Sequence, residues 1–155
     1  MIKRYLIEVH NKKDILDVFR KGMINDIKEQ GISGVQDIAI SDLYRIEGDI
    51  SLKEIKKIAE DVLRDRIIQE SFVTEGLAVQ KKGYDVAIDV FYKKGVTDAV
   101  ADTVSFAAKD AGITADIKVS TGKRYYIKGK ITKDDIELIC ERLLANRLVQ
   151  DYYIT

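Results

Sequence analysis

The residue types in this chain that most readily do chemistry are few and far apart: one cysteine, one histidine and one Gly-Lys pair. A cysteine nucleophile needs a base beside it, and His10 is remote in sequence from Cys140. Together they cannot supply a tetrahedral Cys/His zinc site. Cys140 falls on an apolar helical stripe and reads as a small core residue, while His10 reads as a half-exposed ring at a strand end. Gly122-Lys123 lacks the context of a phosphate loop, which needs a glycine five residues earlier and a Ser or Thr directly after; Ile117 and Arg124 stand there. The pair reads as a turn between strands. Asp134, Asp135 and Glu137 cluster at a helix start, where carboxylates complement the helix dipole, and Asp17 and Asp98 read as helix caps rather than as acids or bases. The expectation is a chain with no catalytic residue, no bound cofactor and no metal.

Composition points the same way. Twenty-six basic and 26 acidic residues cancel, leaving no global field to draw the chain onto nucleic acid or an anionic membrane. No apolar stretch approaches the roughly 18 residues of a membrane span. A lone cysteine fits a reducing compartment, so the chain is expected to be soluble and cytoplasmic. Its 155 residues, 46% hydrophobic and 34% charged, can bury a core without disulfides. Proline is absent, where about seven or eight would be usual at this length.

The elements that must position these residues are written twice. "YRIEGDIS" at 44–51 returns 81 positions later as "YYIKGKIT" at 125–132. Residues 5–74 lie over 86–155 without a gap, and about nineteen of the seventy pairs are identical, against about five for unrelated sequences. Ile7 pairs with Ile88, Asp17 with Asp98, Gly31 with Gly112, Tyr44 with Tyr125, Gly48 with Gly129 and Gln69 with Gln150. The expected domains are residues 1–74, a linker at 75–84 and residues 85–155. Fully extended, that linker spans at most about 33 Å, so the copies must pack close together.

Each copy reads alike. "YLIEVH" and "DVAIDVFY" alternate as first strands. Phe19, Met23 and Ile27, and then Val100, Val104 and Ala108, recur at helical spacing, and Gly31 and Gly112 end those helices. "GVQDIAISDLYRIEGD" and "ADIKVSTGKRYYIKGK" are long enough for two strands each, with turns near Ser41 and Asp42 and near Thr121 and Gly122. Ser51 with Glu54, and Thr132 with Asp135, mark the start of a second helix. Its apolar stripe is Ile55, Ile58, Ala59, Val62 and Leu63, matched by Ile136, Ile139, Cys140, Leu143 and Leu144. "IIQESFV" and "LVQDYYI" close the copies as last strands. The expected fold is α+β: two tandem β-α-β-β-α-β units of split βαβ, ferredoxin-like type, with antiparallel sheets, helices on one face and a pseudo-two-fold pairing.

Candidate contact residues follow the second helix of each copy. Arg66 with Gln69, and Arg147 with Gln150, recur at identical spacing. Tyr125, Tyr126, Tyr152 and Tyr153 add apolar area with a hydroxyl, a composition suited to interfaces as well as to strands.

Both copies resemble PurS, the small subunit of phosphoribosylformylglycinamidine synthase. In the second copy the likeness rests on Gly95, Val96, Thr97 and Asp98, leading from first strand to first helix, and on "YYIKGKITKDDIELICERLLANRLVQDY". In the first it rests on "DILD" and "YRIEGDISLKEIKKIAEDVLRDRIIQE"; Arg66 and Arg147 stand where the family commonly has proline. The resemblance implies a noncatalytic assembly role in purine biosynthesis. The small subunit of that family pairs with itself and bridges a synthetase, which carries ATP and Mg, to a glutaminase that releases ammonia. A tandem copy is then a covalently linked pseudo-dimer, with further pairing between chains left open. It is similar also to the N-terminal region of single-chain synthases.

Two other readings stand beside it. Paired split-βαβ units can bind a small effector at their junction, a likeness of architecture that does not fix function. RNA binding on the sheet would need an Arg/Lys-Gly-aromatic pattern on a central strand, which "KRYYIKG" does not have.

Overall fold

The computed structural model describes residues 1–12, 18–76 and 81–155. Asp17, expected as a cap, lies outside them, as do residues 77–80 of the expected linker. The elements are strand β1 (Lys3–Asn11), helix α1 (Val18–Glu29), strand β2 (Val35–Gly48), helix α2 (Leu52–Lys57) running on as a π-helical turn (Ile58–Leu63), and strand β3 (Gln69–Glu75). The second half repeats them as β4 (Val86–Tyr92), α3 (Ala99–Asp110), β5 (Ile117–Gly129), α4 (Lys133–Ile139) with its π-helical turn (Cys140–Leu144), and β6 (Gln150–Ile154). The strands form one antiparallel sheet in the order β3-β1-β2-β5-β4-β6. The fold is α+β, consistent with a duplicated ferredoxin-like arrangement.

One expectation is corrected. No turn interrupts β2 near Ser41 and Asp42, nor β5 near Thr121 and Gly122; each is a single long strand. Ser41 and Thr121 are buried, and Thr121 directs both its backbone N–H and its hydroxyl to the Asp98 carboxylate, each at 2.8 Å. Thr121 is therefore satisfied inside the protein, and β5 can stay extended there.

Compact units divide the chain by contact rather than by order. The first holds β1, residues 41–48 of β2, α2 with its π-helical turn, β3, α3 and residues 117–122 of β5. The second holds α1, residues 35–40 of β2, β4, residues 123–129 of β5, α4 with its π-helical turn, and β6. In the first core Tyr5, Ile7 and Val9 of β1 meet Ile55, Ile58 and Ala59, with Ala108 of α3. In the second, Ile88 and Val90 of β4 and Tyr125 and Ile127 of β5 meet Ile139, Cys140 and Leu144, with Met23 and Ile27 of α1. Each core thus borrows its first-type helix from the opposite sequence half. Phe19 and Val100, which share the spacing of those helical stripes, are exposed.

The capping boxes form as expected: Ser51 with Glu54 and Thr132 with Asp135 exchange side-chain and backbone hydrogen bonds. Asp98 caps α3 through the Ala101 N–H at 3.0 Å. Gly48 and Gly129, the repeated glycines of the opening motif, are kept for another reason than a turn. A Cβ on Gly129 would lie 2.1 Å from the Gly34 carbonyl oxygen, and one on Gly48 would lie 2.7 Å from that of Asp116. Only glycine allows β2 and β5 to approach this closely.

Candidate interaction surface

The segment that leaves each second helix is built twice on the same plan. In the first unit the π-helical turn ends at Leu63 and the chain returns to β3 through residues 64–68. Asp65 fixes that return: its carboxylate accepts from the Ile67 N–H at 2.8 Å, and its carbonyl accepts from the Gln69 N–H at 2.8 Å. The Gln69 side chain accepts in turn from the Asp65 N–H at 2.9 Å. Lys12 donates to the Arg66 carbonyl at 3.1 Å, and the Arg66 guanidinium pairs with Asp61.

The second unit substitutes Asn146 for the aspartate and keeps the geometry. Asn146 Oδ1 accepts from the Leu148 N–H at 3.1 Å, and the Gln150 side chain accepts from the Asn146 N–H at 2.9 Å. Arg147 lies 3.5 Å from Glu141 and 4.9 Å above the Tyr152 ring. Tyr152 donates to Glu141 at 2.8 Å, and that hydrogen bond, ahead of burial and the carboxylate charge, raises its pKa.

These loops hold Arg66, Gln69, Arg147, Gln150 and Tyr152 together by unit, but the glutamines brace the loop backbone and the arginines pair with carboxylates of the preceding π-helical turns. What the loops display is aliphatic. Ile67 is 82% exposed and Leu148 is 86% exposed, at equivalent positions of the two copies. Sequence reasoning chose the polar residues and passed over these two. The signal was present: each lies beyond the end of a helical apolar stripe, where no core-facing position remains. Tyr153, on β6, is exposed, whereas Tyr125 and Tyr126 are buried.

The second unit also contains a buried ion pair. Arg124 is 2% exposed and meets Asp89 in two hydrogen bonds of 2.6 and 2.8 Å. Burial alone would ease proton loss from the guanidinium, but the Asp89 hydrogen bonds and charge, with the Tyr126 hydroxyl, outweigh it and raise the pKa. Nearby, Tyr84 stacks obliquely on Tyr126 at 5.5 Å and reaches Asp37 at 3.5 Å. Burial first, then the Asp37 charge, raises the Tyr84 pKa.

The residues first considered for chemistry have structural places. Cys140 is fully buried, and desolvation, followed by the Glu141 and Glu137 charges, pushes its thiol up to about 12. His10 stacks on Phe72 at 5.2 Å and faces Glu70 at 3.4 Å. Gly122 and Lys123 lie within β5 rather than in a turn. Among the described residues no cluster of three or more His, Cys, Asp or Glu is placed to hold a metal ion, and no helix is long and apolar enough to cross a membrane.

Residues 85–155 match the family model described as PurS: Phosphoribosylformylglycinamidine (FGAM) synthase. No curated protein matches the chain. Among solved structures, one described as a glycine cleavage system transcriptional repressor aligns over 100% of this chain and 98% of its own. Its 12% identity and TM-score of 0.24 are too low to carry an argument. That family match runs from β4 through β6, the second half of the chain.

Proposed function

We propose that this chain is a noncatalytic assembly component of phosphoribosylformylglycinamidine synthase, holding a synthetase and a glutaminase together so that ammonia passes between them. The family match over residues 85–155 carries the reading. The gapless repeat supports a first half of the same origin, and the interleaved cores support two such halves fused into one pseudo-dimer. ATP and Mg then belong to the synthetase partner. Joining the halves covalently raises their effective concentration, so that pairing does not wait on a second chain. The exposed Ile67 and Leu148, on loops braced by Gln69 and Gln150, are the contacts assigned to the partners, with Arg66, Arg147, Tyr152 and Tyr153 around them.

The test is size-exclusion chromatography with light scattering, on the chain alone and mixed with the synthetase and glutaminase of the same source. A larger complex, together with glutamine-dependent activity that needs this chain, is the expected result. Absence of association with ATP and glutamine present, or coupled activity unchanged by omitting the chain, would sink the reading.

A further inference from the structure

Among the described residues the first edge of the sheet is open. β3 lies at the end of the strand order, and all seven of its residues pair with β1, from Tyr5 opposite Glu75 to Asn11 opposite Gln69. Ladder bonds run from the Gly76 N–H to the Arg4 carbonyl and from the Lys12 N–H to the Ile68 carbonyl. Antiparallel bonding alternates, so Thr74, Phe72 and Glu70 bond inward while Ser71, Val73 and Glu75 aim their N–H and C=O groups outward. Among the described residues nothing pairs with those three.

Edge strands usually carry a proline, a lysine or a bulge that discourages pairing. "QESFVTE" has none of these. It carries two exposed carboxylates, Glu70 and Glu75, around an exposed Phe72. The opposite edge is less acidic: the same alternation leaves Tyr152 and Ile154 of β6 facing outward, and the one carboxylate of β6, Asp151, is half-buried beside Lys93.

We propose that β3 accepts an extended, lysine- or arginine-bearing segment of a partner protein as a seventh strand. Backbone groups of Ser71, Val73 and Glu75 supply the ladder, Phe72 supplies apolar contact, and the two glutamates select a basic strand over an acidic one. Self-pairing of two β3 edges would bring four carboxylates together, so another protein is favoured over a second copy. The inference goes beyond the assembly reading and does not depend on it.

The experiment is residue-resolved amide exchange on the full chain, with a blocked peptide of valine and threonine carrying lysine at every third position. The expected result is slowed exchange at Ser71, Val73 and Glu75, several-fold weaker binding to Glu75→Lys, and no binding of the peptide with glutamate for lysine. Ser71→Pro removes an outward N–H without taking a bond from β1, and should abolish binding while the unfolding midpoint stays within a few degrees. If that variant does not fold, a peptide N-methylated at alternate residues makes the same cut from the other side and must not bind. Equal binding by the acidic or N-methylated peptide, equal binding to a folded Ser71→Pro chain, or protection of these amides before any peptide is added would overturn the proposal.

Discussion

Arg124 and Asp89 are the residues at which this chain carries its largest electrostatic risk. A buried pair of this kind is costly to break and cheap to replace. Asp89→Ala strands a guanidinium out of water and should cost about 3–5 kcal/mol, whereas Asp89→Val with Arg124→Leu should come near neutral. Urea unfolding of both variants checks the contrast. Glycines offer a second contrast. Gly129→Ala forces a Cβ against the Gly34 carbonyl and should lose more than about 2 kcal/mol, while Gly22→Ala, with nothing within 4 Å, should gain about 0.5–1 kcal/mol in mid-helix. At Cys140 the folded thiol titrates near 12 against an ordinary 9.0. The unfolded chain therefore releases its proton first as pH rises, and stability falls from about pH 9 up to about pH 12. Cys140→Ala, which copies Ala59, should flatten that part of the profile, and a thiol reagent at pH 8 should label the native chain only after denaturant is added.

At the scale of elements, the two loops that follow the π-helical turns are the surface to test. Ile67→Ser and Leu148→Ser remove exposed side chains, so stability should change by less than about 0.5 kcal/mol, while the proportion of chain found in the synthetase complex should drop. Unchanged complex formation by both would detach the loops from the assembly role. Much at this scale was legible in the sequence. First strands, capping boxes, left-handed glycines at Gly31 and Gly112 and the second-helix stripes all follow from local chemistry. The hairpins expected within β2 and β5 were not there: Ser41 and Thr121 have the composition of a turn, yet both are buried in a continuous strand, and Thr121 finds its partner, Asp98, at long range. Periodicity showed that Met23 and Ile27 face a core; it could not say which core, since an apolar stripe fits any sheet that presents Ile and Val. Ile67 and Leu148 were overlooked because a polar candidate is easier to recognise than an aliphatic one standing where no core exists.

For the whole molecule, the sequence halves and the packing follow different boundaries. Two similar halves in sequence become two units that each use segments of both. Residues 85–155 alone contain α3 but lack α1, so the core around Ile88, Val90 and Ile127 would be open where Met23 and Ile27 belong. That fragment should appear in light scattering as a dimer that completes each core with its neighbour's helix, or as an unfolded chain; a folded monomer would contradict the interleaved description. The intact chain should unfold in one transition, since β2 and β5 each serve both cores and neither can be released singly.

The borrowed helix also sets an order in time. α1 is made early, yet the residues it packs on include Tyr125 and Ile127, which the ribosome adds about a hundred residues later, roughly 5 to 20 seconds at usual rates of synthesis. Throughout that interval Met23 and Ile27 have only the early part of their core, Ile32, Val35 and Ile38, to pack with. The early half of the chain emerges as a client for chaperones, and the protein becomes resistant to proteolysis only when its second long strand has been written.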